Sequence, residues 1–477
     1  MNKKEIEKLK KETFKKETHI FDHLKKAETD QAFEMAERYK TFLDKGKTER
    51  EAVQQICQVL EKKGFVNMDN VLDKQRPAIH KKYYKVLKGK CVAAAVLGSE
   101  SVQSGANVVA SHIDSPRLDL KQNPLYEDLD LAFLKTHYYG GIKKYQWLSI
   151  PLALHGIVVK KDGSSIEICI GEQDDDPVFT VSDLLPHLAG KQQGSKKVSE
   201  AFEGEKLNLL CGSIPLGNDT IKERFKLGVL KLLHDQYGMV EADFVSAEIE
   251  AVPAFKAKDI GFDRSMIGAY GQDDRICAFS ELEAVTGLDK VHRPAVALFF
   301  DKEEIGSEGT TGAKSSFIED FLSDLLFMNN EPTDNRTLRK CLMNSMCLSA
   351  DVNGALDPDY KEVHEKLNAA KLGYGICITK FTGARGKAGS SDAGAEFVGL
   401  IRNLFDRHNI LWQTGELGKI DEGGGGTLAK FLAELGMDIL DCGPALLSMH
   451  SPFEISSKAD LYMACKGYRA FYLFESL

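Results

Sequence analysis

Four short apolar runs in this chain each lead into a residue able to bind a metal ion. The run at 108–111 (VVAS) leads into His112, 297–300 (ALFF) into Asp301-Lys302-Glu303-Glu304, 347–350 (CLSA) into Asp351, and 445–449 (ALLSM) into His450. Runs this short, bounded by turn residues, read as buried strands. They fall within apolar segments at 90–98, 107–111, 294–300, 346–351, 374–381 and 438–450. Helix-compatible stretches stand between them, at 274–286, 315–328, 391–406, 427–435 and 458–474. Such alternation predicts an α/β fold with a mostly parallel-centred sheet flanked by helices. Ligands of open α/β sheets gather beyond the carboxyl ends of the strands. The four runs therefore deliver imidazoles and carboxylates to one edge.

The middle of the chain differs. From 116 to 260 the apolar runs are short and β-branched, and Lys161-Asp162-Gly163-Ser164 is a hairpin signal. A length of 477 residues suits two domains or one carrying an insertion. The expected organisation is a catalytic α/β domain formed by 1–115 and 261–477, with an inserted β-rich domain at 116–260. Residues 1 to about 88 read as helical, from the spacing of Phe33, Ala36, Tyr39, Leu43, Val53, Ile56 and Leu60.

Charge narrows the partners. A net charge of -9, from 62 basic and 71 acidic residues, argues against nucleic acid and anionic membranes, which call for a basic surface. The first residues carry both signs of charge and no apolar core, unlike a signal peptide. No stretch approaches the ~18 apolar residues of a membrane span. Ten scattered cysteines lack a CxxC pair, and Cys91, Cys169, Cys277, Cys347 and Cys377 sit in apolar runs. Buried, reduced thiols in a cytoplasmic protein are the expectation.

Any one of the candidate ligands is more often a cap or a loop residue, and Asp273 at a helix start is most often an N-cap. The combination is what counts. Five segments, including Gln272-Asp273-Asp274-Arg275 ahead of an apolar helix, would converge on one edge with the imidazole and carboxylate set of catalytic zinc.

Four of these segments also carry a resemblance. SHIDSPRLDLK (111–121), DKEEIGSEGTTGA (301–313), SADVNGALDPDY (349–360) and LLSMHSPFEISS (446–457) resemble, in order and separation, the motifs of the aspartyl aminopeptidase and vacuolar aminopeptidase I family of metallopeptidases. The resemblance implies a zinc-peptidase-like fold and removal of N-terminal residues from peptides. It also implies two divalent metal ions, zinc by default, with cobalt or manganese tolerated. One ion would be held by His450, Glu304 and Asp273, and the other by His112, Asp351 and the same Asp273. Adjacent residues of an extended segment point opposite ways, so Glu303-Glu304 suits one base and one ligand; the resemblance makes Glu303 the general base. Asp114 would orient His112, and the Asp273–Asp274 peptide would be cis. His187, within Leu185-Pro186-His187-Leu188, would reach a neighbouring subunit and stabilise the oxyanion. The insertion would then be a dimerisation domain, and the assembly a tetrahedral dodecamer built from dimers.

One position departs from the aspartyl aminopeptidases. The lysine that pairs with an acidic substrate side chain aligns with Thr379, and Lys380 stands one residue on, facing the other way in a strand. Arg385 or Lys387 could substitute, or the pocket could take neutral or apolar side chains. The glycine run at 423–426 lacks the ending of a phosphate-binding loop and reads as a loop tight against substrate or backbone. A two-metal deacylase or carboxypeptidase would share the ligand logic. A catalytically silent, shell-forming protein would have no need of all five ligands and the base.

Overall fold

The computed structural model describes residues 1–72 and 81–475. A nine-stranded sheet forms its centre. Four strands lie at the middle, in the order Ala295–Phe300, Asn107–His112, Met346–Ser349 and Asp438–Gly443, each parallel to the next. Cys91–Val96 and Ile376–Thr379 pair antiparallel on either side. Every residue of Ala295–Phe300, Asn107–His112 and Cys91–Val96 is buried; the first and third therefore read as unbroken apolar runs, while the second is apolar only at Val108, Val109 and Ala110. Successive side chains serve opposite faces. Ala295, Ala297 and Phe299 join the core that includes residues of helices Lys26–Lys45, Gln272–Thr286 and Lys458–Tyr472, whereas Val296, Leu298 and Phe300 pack in the core with helix Phe317–Met328. Because the four middle strands run the same way, their carboxyl ends share one edge.

The second sheet has seven strands, all paired antiparallel, spanning Arg117–Asp128 to Ala247–Pro253. The expected hairpin closes it at one side, with Val159 opposite Ser165 and Gly163 at φ 83°. A three-stranded sheet, Lys258–Ile260, Met266–Ala269 and Glu454–Ser457, links the segment before Asp273 to the segment after His450.

Two expectations, on residues 1–88 and on Cys169, are corrected. Residues 1–88 are not helical throughout: after helices Lys26–Lys45 and Glu49–Lys62, Lys82–Leu87 is a strand that pairs with Cys91–Val96. Lys88 and Gly89, both at positive φ, turn the chain between those strands, and this turn chemistry outweighs local helical spacing; residues 73–80 lie outside the described residues. The middle segment contains a helix, Arg224–Tyr237, whose Val229, Leu230, Leu233 and Tyr237 pack on the sheet at helical spacing. Cys169 is exposed rather than buried, since Ser165–Ile170 is an edge strand; all ten cysteines are free. Among the described residues no helix is long and apolar enough to cross a membrane.

Candidate metal centre

Each candidate reaches the site by a different route. His112 closes its strand, and Asp351 lies just beyond Met346–Ser349. Glu303 and Glu304 open a tight turn after Ala295–Phe300, entered through Lys302 at φ 69°. His450 follows the short strand Ala445–Leu446. Asp273 stands in the first turn of helix Gln272–Thr286, and its peptide bond to Asp274 is cis. Asp301, at the end of its strand, is held by Lys302 Nζ and Thr311 Oγ1, each 2.6 Å from Oδ2.

The two oxygens of Asp273 face two different imidazoles: Oδ1 lies 3.2 Å from His112 Nε2 and Oδ2 lies 3.2 Å from His450 Nε2. Glu304 Oε1 is 3.4 Å from His450 Nε2, and Glu303 Oε2 is 3.9 Å from His112 Nε2. Ligand atoms of His112, Asp273 and Glu304 lie within 4.8 Å of one another, as do those of Asp273, Asp274 and Asp351. All five predicted ligands and Glu303 are thus brought together. Asp114 is here as well: His112 Nδ1 is 3.3 Å from Asp114 Oδ1 and 3.1 Å from its carbonyl. The N–H groups of Glu303 and Glu304 donate to the Asp114 carboxylate at 3.1 and 3.2 Å.

His187 is not brought to this site. It sits exposed in the short helix Pro186–Ala189 and does not line the cavity beside the cluster.

The donor set fits divalent ions. Burial, reinforced by Asp273, pushes the Glu304 carboxyl well above its ordinary value; burial, with Glu303 and Asp273 nearby, does the same to Asp351. Burial with Asp114 and Asp273 raises Glu303 to about 7. Asp273 goes the other way: burial opposes its ionisation, but hydrogen bonds with His112 and His450 hold it below the usual carboxylate range. Glu304 Oε1 and Asp274 Oδ1 are buried without a hydrogen-bond partner. Crowded buried carboxylates with orphaned oxygens are an expensive arrangement that divalent cations relieve.

Sequence reasoning missed several supports. Glu454 accepts from the N–H groups of His450 (2.7 Å), Gln272 (2.6 Å) and Asp273 (3.1 Å), tying two ligand segments together. Its place four residues after His450, in the same motif, was the available signal. Asp274 accepts from the His112 N–H at 3.3 Å. Tyr139 donates to Asp114 and the Gly141 carbonyl meets His450, contacts with no local signature.

A cavity of about 490 Å³ opens beside the cluster. Asp351, Asn353 and Thr379 line it with Phe381, Arg385, Lys387 and the glycine run 423–426. Thr379 is buried and accepts from Asn353 Nδ2 at 2.8 Å, while Lys380 pairs with Asp392. Gly424 pairs with Ala384, and a Cβ on it would fall 2.1 Å from the Gly383 carbonyl, so the run packs tight against backbone.

A second group, Glu51, His155 and Cys169, also places ligand-type atoms within 4.8 Å of one another. There both imidazole nitrogens are already engaged, Nδ1 with Glu51 at 2.7 Å and Nε2 with Glu172 at 3.1 Å. Burial disfavours charge on His155, but Cys169, Glu172 and Glu51 outweigh it and raise its pKa to about 11. These contacts set His155 in a buried network with Glu51 and Glu172.

The family model of the aminopeptidase I zinc metalloprotease (M18) matches residues 42–472. The chain belongs to that family. It is 50% identical over 442 residues to the probable M18 family aminopeptidase 1 of Clostridium acetobutylicum, a match covering 92% of this chain and 95% of that protein. The crystal structure of an M18 family aminopeptidase from Thermotoga maritima superposes with a TM-score of 0.91 at 48% identity, covering 96% of this chain and 99% of that one. The fold is also that of the yeast mApe1 dodecamer, with a TM-score of 0.74 at 21% identity over 92% of this chain and 96% of that one. As a member of the M18 family, the chain is a zinc-type metalloaminopeptidase.

Proposed function

We propose that this aminopeptidase works through two zinc-class ions that share Asp273. The carrying observation is that its two carboxylate oxygens face His112 and His450 separately, each at 3.2 Å. His450, Glu304 and Asp273 would hold one ion, and His112, Asp351 and Asp273 the other; cobalt or manganese suits the same donors. Ions held there would supply polarisation of the scissile carbonyl and acidification of the attacking water. Glu303 lines the cavity at the cluster, with its carboxyl raised to about 7 by burial and its acidic neighbours. It would take a proton from the attacking water and return it to the leaving amine. Asp114 keeps His112 oriented and steadies the Glu303 turn through its N–H.

Residues 1–115 and 261–477 form the catalytic domain in this reading, and 116–260 the inserted dimerisation domain. Exposed apolar side chains in the insertion, among them Leu185, Leu188, Val198, Ile214 and Leu232, support an interface between copies. The insertion would carry His187 to a neighbouring copy's centre, where it stabilises the oxyanion. A tetrahedral dodecamer built from dimers is the assembly we propose, admitting only small peptides. The reading has no nucleic-acid or membrane partner, and ten free cysteines suit a reducing, cytoplasmic setting. Thr379 supports neutral or apolar N-terminal residues over Asp and Glu, with Arg385 and Lys387 on the cavity wall as the competing cations.

The test is hydrolysis of aminoacyl-nitroanilides and unblocked dipeptides, with chelator or with added zinc, cobalt or manganese. Metal-dependent release of neutral N-terminal residues, with N-acetylated peptides untouched, is the expected result. Cleavage of acylated peptides or of C-terminal residues would favour the deacylase or carboxypeptidase, and no turnover with any metal the silent shell.

A further inference from the structure

The strand Leu131–Tyr139 belongs to the seven-stranded antiparallel sheet, yet the segment at its end reaches both imidazoles of the metal centre. Tyr139 Oη donates to Asp114 Oδ2 at 2.8 Å, and Asp114 Oδ1 lies 3.3 Å from His112 Nδ1. Two residues on, the Gly141 carbonyl lies 2.8 Å from His450 Nδ1 and can accept its proton. In each ring Nδ1 is engaged and Nε2 is turned to Asp273. Such an engagement fixes the tautomer and leaves the other nitrogen's lone pair for a metal.

The segment is itself held. The Arg117 guanidinium lies 3.9 Å over the Tyr139 ring and is pinned by Asp119 at 2.8 Å and Glu250 at 3.2 Å, both from the same sheet. Between the two contacts, Gly140 has φ 72°, and a Cβ on it would lie 3.3 Å from Glu304 Cβ and Oε2. A side chain there would be strained and would press on a ligand carboxylate.

We propose that Tyr139–Gly141 is a positioning element for both metal-binding histidines, so that the antiparallel sheet sets the affinity of the centre for its ions. Tyr139 acts on His112 through Asp114, and Gly141 acts on His450 directly. A movement of this sheet, as on assembly, would then be felt at the ions. The proposal rests on the two-ion reading above.

The experiment compares zinc release from wild type, Tyr139→Phe and Gly140→Ala, with a chromogenic chelator as competitor and melting curves of the zinc-free proteins alongside. Tyr139→Phe keeps the ring over Arg117 and removes only the O–H. The expected result is zinc released about 10–100-fold more readily from Tyr139→Phe, the range typical for loss of a group that orients a ligand, with the zinc-free melting temperature unchanged. Gly140→Ala is expected to weaken zinc binding too, through Glu304. Release curves superimposed on wild type in both variants would overturn the proposal, as would a lower zinc-free melting temperature with unchanged release. A wild type that takes up no zinc would overturn the two-ion reading together with it.

Discussion

The backbone N–H of Glu303 donates to Asp114 Oδ1 at 3.1 Å, so the carboxylate beside one imidazole also fixes the turn that carries the proposed base. Glu303→Gln preserves the shape of this turn and removes only the basic oxygen. It is expected to retain its ions by elemental analysis and to lose activity by about 10²–10⁴-fold in kcat, the usual range for a general base. Wild-type turnover in this variant would remove Glu303 from the mechanism.

His450→Ala takes away an imidazole from one side of Asp273, leaving Glu304 and Asp273 oxygens facing each other. We expect metal content to fall and activity to fall with it. Because ions bind the folded state, treating the wild type with a chelator should lower its melting temperature. His450→Ala should show a smaller drop. Full ion content in the variant would take His450 out of the ligand set.

If His187 serves a neighbouring copy, two defective chains can repair each other. His187→Ala retains Glu303 and lacks the oxyanion donor; Glu303→Gln is the reverse. Co-assembled, some centres would combine an intact Glu303 with a partner's intact His187. Activity well above either parent, from denatured and refolded mixtures, is the expected outcome. Loss of one oxyanion donor is worth about 10²–10³ in kcat, so the recovery is measurable. Additive background activity alone would confine His187 to its own surface.

The parallel strands were legible because a strand buried on both faces is mostly apolar, as 295–300 is throughout and 107–112 is at Val108, Val109 and Ala110. The convergence of the candidate ligands was legible because four motifs agreed in order. Other features were not. Helix Asn335–Asn344 is largely polar and buries only Thr337, Cys341 and Leu342, so its local marks are the Asp334 cap and a short apolar stripe of Leu338, Cys341 and Leu342. The Lys82–Leu87 strand gains its identity from a turn and a neighbour. Tyr139 and Gly141 meet the centre through tertiary folding of a different sheet, and no spacing announces such a contact. His187 lies exposed in a single chain, so its role is a matter for the assembly.

His155 offers a pH test away from the centre. Its pKa is raised to about 11 when folded, so the folded state holds a proton that the unfolded chain releases near 6.5. That stabilisation is complete below about 6.5 and is lost as pH rises through about 11. His155→Gln should therefore be less stable than wild type near neutral pH, and the gap should narrow as pH climbs toward 11. Melting temperatures across pH 7–11 measure it; a constant gap would mean that His155 is neutral in the folded protein.

His112, Asp351 and His450 come from segments far apart along the chain, and the strand ends bring them within reach of Asp273 only when the sheet is complete. A nascent or unfolded polypeptide therefore offers free zinc no pair of these imidazoles at chelating distance. Ion uptake becomes a late event that reports a finished tertiary structure, and excess metal has little at these positions with which to trap a half-made chain.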